Sequence, residues 1–276
     1  MSKLIVTHVN PDPDAISSVW LLRSFDQEWN EAAVAFVSAG KTWKAMEVDS
    51  DPNIAHVDTG FGRFDHHQTS ERTCAAKKVW EYLSEKYDYI AEDGALKRMI
   101  DVIVDDDHFE ECYWPEPLAD RYVFMFGDIL DGLKRSNVVT DRGLIDLGST
   151  CLDGIYNSMK LKMGAEEALS NGTEFETSWG KAIGIETKND EVLTIGLKKD
   201  YVIVVRKDPE GMIRIKAKPK SEVDLTKVYQ KIKEKDDQAT WFLHASKKML
   251  LNGSYKNPGN VESKLGLAEI ISLFQE

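Results

Sequence analysis

The chain has 276 residues and a mass of 31.2 kDa, a length that suits two domains of roughly 150 residues. Hydrophobic residues at 42% and charged residues at 30% fit a globular, water-exposed protein, and no apolar run approaches the roughly 18 residues of a membrane span. The net charge of −12 belongs to the first half: residues 1–150 carry 15 Lys and Arg against 28 Asp and Glu, and residues 151–276 carry 20 against 19, so a cationic coat for duplex nucleic acid is not expected.

Residues 3–9 predict a buried strand, too short to be a signal peptide, which stops at Asn10-Pro11-Asp12-Pro13 because proline donates no backbone hydrogen. A helix over 15–23 follows from the spacing of Ile16, Val19, Trp20 and Leu22. Strands at 33–37 and 54–57 continue a strand–helix–strand rhythm, which predicts an α/β first domain around a parallel sheet. Helices are expected over 74–87, 92–104, 121–133 and 141–162 as a helical connection. After Asn171-Gly172 the pattern predicts strands at 192–196, 201–206 and 212–217, with Asp208-Pro209-Glu210-Gly211 as a turn. A helix at 225–233, a strand at 240–244 and a helix at 265–274 complete a smaller α+β C-terminal domain. The expected division is 1–165 and 166–276. The three cysteines, Cys74, Cys112 and Cys151, are too few and too scattered for a disulfide framework or thiolate zinc site, so a reducing cytoplasm is expected.

Five of the six histidines lie within the first 108 residues, each one to four positions from an aspartate. They form His8-Val-Asn10-Pro-Asp12-Pro-Asp14, then Asp58, then Asp65-His66-His67, then Asp105-Asp106-Asp107-His108, with the first two at strand tips where open α/β sheets build their sites. Carboxylates this dense repel one another unless cations neutralise them. Imidazole with carboxylate suits Mn²⁺, and oxygen-rich sites take Mg²⁺. Two such ions would supply hydroxide near neutral pH and hold phosphoryl oxygens. Each cluster also has a plain reading: Asp12 and Asp14 as turn and helix-capping residues, His8 as a core histidine, Asp105 to Asp107 as a solvated acidic run.

The ordered set His8-x-Asn10-Pro11-Asp12-x-Asp14-Ala15, Asp58, Asp65-His66-His67 and Asp105 resembles the motifs of the DHH phosphoesterase superfamily over about the first 110 residues. That superfamily includes RecJ-type exonucleases, nanoRNases, cyclic-dinucleotide phosphodiesterases and family II inorganic pyrophosphatases. Val57-Asp58-Thr59-Gly60, Phe64-Asp65-His66-His67-Gln68, the run from Thr73 to Trp80 and Trp241-Phe242-Leu243-His244-Ala245-Ser246 are similar to its melanocyte-proliferating-gene exonuclease family. The resemblance implies a DHH-type first domain in which His8 and Asp12 ligate one divalent ion, Asp14 a second, and Asp58 bridges both. His66 and Asp105 complete the second site, with Asp101 or Asp106 as substitutes for Asp105. His67 would face the scissile phosphate, Asp65 would orient the histidine pair, and Asn10 would fix the loop or contact substrate. Asp107 stands where the fourth motif has glycine, Pro13 where small residues are usual, and the Gly-Gly-Gly-His segment of many associated domains is absent.

Residues 198–256 carry 15 Lys and Arg against 8 Asp and Glu. Arg214, Lys216 and Lys218 alternate, so one strand face holds all three, either as a solvated face or as a cationic bed for a phosphodiester chain. On chemistry alone His244 reads as a core or turn residue, and the family resemblance favours it, with Ser246 and Lys247, as a contact for a terminal phosphate or base. Asn252-Gly253-Ser254 is either an anion-binding turn or a plain turn. Tyr229, Trp241 and Tyr255 are candidate stacking rings, with core packing expected for Trp241, and Lys256 adds to the local positive charge. The expected function is a hydrolase: an Mn²⁺- or Mg²⁺-dependent phosphodiesterase that cuts short single-stranded nucleic acid to mononucleotides. The expected partners are that oligonucleotide or another small phosphoester, with no duplex DNA and no membrane; a homo-oligomer is compatible with the sequence. A pyrophosphatase reading is weaker, because Ser246-Lys247-Lys248 only loosely replaces the Ser-Arg-Lys segment of that family. A non-catalytic metal- or nucleotide-binding protein is the third reading, and the full candidate ligand set argues against it.

Overall fold

The computed structural model describes residues 2–253 and 259–275, so Ser254, Tyr255 and Lys256 lie outside the described residues. The chain divides into two compact units, 1–159 and 160–276. The first unit holds β1 (Leu4–His8), α1 (Pro13–Phe25), β2 (Ala33–Val37), β3 (Ile54–His56), α2 (Ala75–Lys86), α3 (Asp88–Ala91), α4 (Gly94–Asp107) and α5 (Phe126–Ser136). Helix α6 (Asp141–Ser170) runs across the division.

Sheet order in the first unit is β2-β1-β3, all parallel, with Leu4 opposite both Ala33 and Ile54. The fold is therefore α/β with a parallel sheet, as the strand–helix–strand rhythm predicts. Because β1 is central, its C-terminal tip and that of β3 lie side by side, and His8 and Asp58 leave the sheet as neighbours. Ile16, Val19, Trp20 and Leu22 of α1 bury against Val79 and Leu83 of α2 and Leu96 and Ile100 of α4. Trp20 is held in place by an indole N–H that donates to Asp153 Oδ1 at 2.9 Å and by edge contacts with Phe25 and Tyr156.

The second unit holds β4 (Thr173–Thr177), β5 (Gly180–Glu186), α7 (Glu191–Lys198), β6 (Ile203–Lys207), β7 (Ile213–Ala217), α8 (Thr226–Lys235), β8 (Trp241–Leu243), β9 (Met249–Asn252) and α9 (Leu267–Ser272). Its sheet order is β4-β5-β6-β7-β9-β8, with only β5 and β6 parallel. Alternate residues face opposite ways: Ile203 and Val205 join the cluster of Ile213, Ile215, Val228 and Ile270, while Val204 joins Ile183, Val192 and Leu169.

Two expectations are corrected here. Residues 192–196 are helical, because Asn189 Oδ1 accepts the Glu191 N–H at 3.0 Å and starts α7, and Val192, Leu193 and Gly196 bury at helical spacing. The hairpin of β4 and β5, which closes through Gly180 at φ 120°, is a pair of strands that the sequence pattern does not predict.

Candidate metal centre

After β1 the chain turns through Asn10, an exposed residue with a left-handed φ of 58°. Pro13 opens α1, where its missing N–H goes unused anyway. Asp12 caps that helix: Oδ1 accepts the Ala15 N–H at 3.0 Å, as its plain reading predicts, while Oδ2 lies 3.5 Å from His8 Nε2. His8 Nδ1 lies 2.9 Å from the Val9 carbonyl, which can only accept, so this nitrogen carries the proton. Nε2 faces the carboxylates of Asp12 and Asp58 and donates to them while it is protonated; once that proton leaves, the outer hydrogen bond of Nδ1 keeps the Nε2 lone pair for a cation, as at metal-binding imidazoles.

Asp58 follows β3 in a left-handed conformation, φ 53°, and is only 3% exposed. Its two oxygens address different imidazoles: Oδ2 is 3.1 Å from His8 Nε2 and Oδ1 is 3.4 Å from His66 Nε2. Oδ1 is buried and has no aligned hydrogen-bond donor among the described residues. A buried acceptor without a donor is costly unless something else satisfies it.

Asp65 is fully buried and works inward: Oδ1 accepts from His67 Nδ1 at 2.7 Å and from the His67 backbone at 3.1 Å, and Oδ2 accepts the Phe61 N–H at 2.6 Å. His67 is thus fixed with Nε2 free. Asp14 is 2% exposed, and its oxygens accept the first N–H groups of α2, from Ala75 at 2.8 Å and Ala76 at 2.7 Å. Oδ2 also lies 3.7 Å from His66 Nε2. On the other side of that ring, Asp107 Oδ2 is 3.7 Å from Nδ1.

Asp105 is not placed with the other candidate ligands. Two residues along a helix is a rotation of about 200°, so Asp105 and Asp107 leave α4 in different directions. Asp105 pairs with Arg72, which also grips Glu110, and Asp107 faces His66. Asp106 lines a cavity with Glu111 and Asp128, and burial together with those carboxylates pushes it up to about 6. Asp107, passed over as the residue in a glycine position, joins Asp14 and His66 instead. His108 and His56 serve the fold: His108 Nε2 meets the Thr73 carbonyl at 3.0 Å, and His56 Nε2 accepts the Trp43 N–H at 2.9 Å.

Three groups of ligand atoms lie within 4.8 Å of one another: His8, Asp12 and Asp58; Asp58, His66 and His67; Asp14, His66 and Asp107. Their electrostatics is that of an anionic site. Burial pulls His8 down, but the hydrogen-bonding carboxylates of Asp12 and Asp58 outweigh it and carry it to about 11. Asp58 raises His66 to about 9 against the effect of burial. Burial pushes Asp58 up, but His66 and His8 together bring it to about 2. Asp14 is raised by burial and by Asp58, Asp12 and Asp107. This donor set, with Asp58 shared between two groups and one of its buried oxygens unmatched, fits a pair of divalent cations.

In the second unit, Arg214 is turned against Asp190, which Arg206 also meets, so it is not a free cation on β7. Lys216 shares its face and has no ion-pair partner among the described residues. Lys247 is paired with Asp224 at 3.0 Å. His244 Nδ1 accepts the Ser246 N–H at 3.1 Å and meets Ser246 Oγ at 2.8 Å within the turn between β8 and β9, so its proton sits on Nε2. Trp241 is buried, with its N–H donating to Asp236 at 3.0 Å, and packs in the core.

No protein-family model and no curated protein matches the chain. Among solved structures, it is similar to a DHH domain described as a member of a family of ribosomal proteins, at 11% identity and a TM-score of 0.32 over 99% of this chain and 86% of that one. An exopolyphosphatase-related protein from Bacteroides fragilis overlaps 99% of this chain and 90% of its own at 13% identity and a TM-score of 0.28. RecJ from Thermus thermophilus, solved with Mg²⁺, overlaps 92% of this chain and 47% of its own at 12% identity and a TM-score of 0.32. These overlaps are loose, and function follows here from the side chains of the centre. No helix among the described residues is long and apolar enough to cross a membrane.

Proposed function

We propose that the protein is a metal-dependent phosphoesterase, and specifically a phosphodiesterase that hydrolyses short single-stranded nucleic acid to mononucleotides. The observation that carries this reading is Asp58, whose buried carboxylate stands between His8 at 3.1 Å and His66 at 3.4 Å, one oxygen to each. His8 and Asp12 with Asp58 would hold one cation; Asp14, His66 and Asp107 with Asp58 would hold the other. A divalent pair held there would supply a nucleophilic hydroxide near neutral pH and would compensate the charge that develops on the phosphoryl oxygens.

The protein's own groups do the rest. Asp65 holds the Nδ1 proton of His67, so Nε2, on a ring that is half exposed, is free to contact a phosphoryl oxygen or to pass a proton to the leaving oxygen. Helix α1, capped by Asp12, and helix α2, capped by Asp14, keep both carboxylates in one rotamer each. Asp105 has no part in this scheme and is a structural partner of Arg72. Lys216, His244 and Ser246 remain candidate substrate contacts of the second unit, whereas Arg214 and Lys247 are engaged with carboxylates.

The reading is tested with a panel of short oligonucleotides, cyclic dinucleotides and pyrophosphate, with Mn²⁺ or Mg²⁺, and products identified by mass. Mononucleotides from oligonucleotides, lost in D58N, are the expected result. Phosphate release from pyrophosphate alone would replace the nuclease reading with a pyrophosphatase one, and metal binding without any turnover would remove the enzymatic reading.

A further inference from the structure

Between Asp58 and Asp65 the backbone makes an unusual excursion. Asp58, Gly60 and Phe61 all have positive φ, at 53°, 83° and 59°. Glycine occupies such a conformation freely, whereas a bulky side chain there is a rare and strained arrangement that surrounding contacts must enforce. Phe61 is nevertheless 55% exposed, so burial of its ring does not explain why the strain is kept. What enforces it is Asp65: the Phe61 N–H donates to Oδ2 at 2.6 Å while the other oxygen holds His67. One buried carboxylate thus fixes an exposed benzene ring and the imidazole together.

The ring also has a seat. Gly40 has φ 72°, and a Cβ there would come within 3.2 Å of the Phe61 ring, so this position both needs glycine and sets where the ring can lie. Phe61 and Gly40 line a cavity of about 420 Å³ together with His8, Asp12, Asp58 and His67. That volume falls in the roughly 300–1,000 Å³ range of small-molecule sites. An apolar ring held out of the core, in the same cavity as the residues that would carry the cations, offers nothing to a bare phosphate chain. It offers a stacking face to a group that is both planar and attached to phosphate.

We propose that Phe61 is the stacking platform for the base of the nucleotide whose phosphate occupies the metal centre, and so selects nucleotides over inorganic polyphosphates. The proposal rests on the phosphoesterase reading above for its hydrolytic consequence but not for its binding one. Stacking of a base on an aromatic side chain is lost on truncation at a cost equivalent to roughly 5- to 150-fold in affinity.

The test uses the full chain loaded with Mn²⁺ in wild type, F61L, F61W and F61G, the last because glycine suits the left-handed backbone and guards against misfolding. Calorimetry compares a nucleoside monophosphate with inorganic phosphate, and kinetics compares kcat/KM for a dinucleotide with that for pyrophosphate. The expected result is a preference for the nucleotide that falls about tenfold or more in F61L and F61G and returns in F61W. A wild type that binds the nucleotide no better than phosphate, or a preference that survives in both F61L and F61G, overturns the proposal. If no compound is hydrolysed while the binding preference still follows the ring, the base platform stands and the hydrolytic reading alone falls.

Discussion

The carboxylate of Asp14, in the first turn of α1, accepts the N–H of Ala75 at 2.8 Å, 61 residues further along the chain, and so caps a helix to which it does not belong. Cys74, the residue at the capping position of α2, makes no side-chain cap. Asp14 also receives the Ala76 N–H at 2.7 Å, so it satisfies two of the four backbone donors that a helix start leaves open. Its Oδ2 also sits 3.7 Å from His66 Nε2, which makes Asp14 a structural and a ligating candidate at once.

D14A should therefore lower stability as well as metal binding. Two buried N–H groups lose a charged acceptor, offset in part by relief of its repulsion with Asp58, Asp12 and Asp107, so a net loss of about 1–3 kcal/mol is expected from chemical denaturation without added metal. D58N, whose carboxylate caps nothing but pairs with His8 and His66, should abolish turnover and reduce titrated metal stoichiometry. Full turnover or unchanged metal stoichiometry in D58N would contradict its placement between the two cations.

Loading the site with metal should release protons. His8 at about 11 and His66 at about 9 hold protons at pH 7.5 as long as carboxylates are their only partners, and a cation needs the same lone pairs. Affinity for Mn²⁺ should consequently fall as pH falls. Calorimetry in buffers of different ionisation enthalpy should report about one to two protons released per chain. A binding enthalpy independent of buffer would contradict the ligand assignments made for His8 and His66.

The acidic run on α4 separates what the sequence makes legible from what it does not. The strand tips at His8 and Asp58 and the Asp65-His66-His67 cluster are readable because a parallel sheet exposes its C-terminal loops and because paired imidazoles have few other uses. Among consecutive aspartates, composition cannot decide which one faces the site; only the phase of the helix, set by burial of Leu96, Ile100 and Ile103, does so. Capping by Asp14 was legible as capping, but its partner α2 is remote in sequence. Phe61 carried no signal, since its exposure and positive φ are visible only in the fold. Residues 192–196 show the reverse case, an apolar run with strand-like composition that Asn189 turns into a helix.

The α4 assignment is open to direct test. D107A should weaken metal binding on the His66 side and lower kcat by at least tenfold, while D105A should retain metal stoichiometry and most activity, because it removes only one carboxylate from an exposed Arg72 that still has Glu110. Loss of metal in D105A but not in D107A would restore the assignment implied by the family resemblance.

Away from the metal centre, Asp26 ties the end of α1 to α2. It is 1% exposed and accepts from Lys86 Nζ at 3.0 and 3.1 Å, from the hydroxyls of Tyr82 and Tyr87 at 3.2 and 3.1 Å, and from the Glu28 N–H at 3.1 Å. Burial pushes its carboxyl up, but Lys86 and the other donors outweigh it and hold it below the ordinary aspartate range. A depressed folded-state value means that the unfolded chain binds the proton more readily, so this stabilisation is present above about pH 4 and is lost as pH falls through the folded value. D26N should then cost about 1–3 kcal/mol at pH 7, and the gap to wild type should narrow in denaturant titrations below about pH 4. Because Asp26 lies far along α1 from Asp12 and Asp14, metal stoichiometry should be unchanged in this variant at pH 7. A stability gap that stays constant down to acid pH would show that shape rather than charge at Asp26 holds the two helices together.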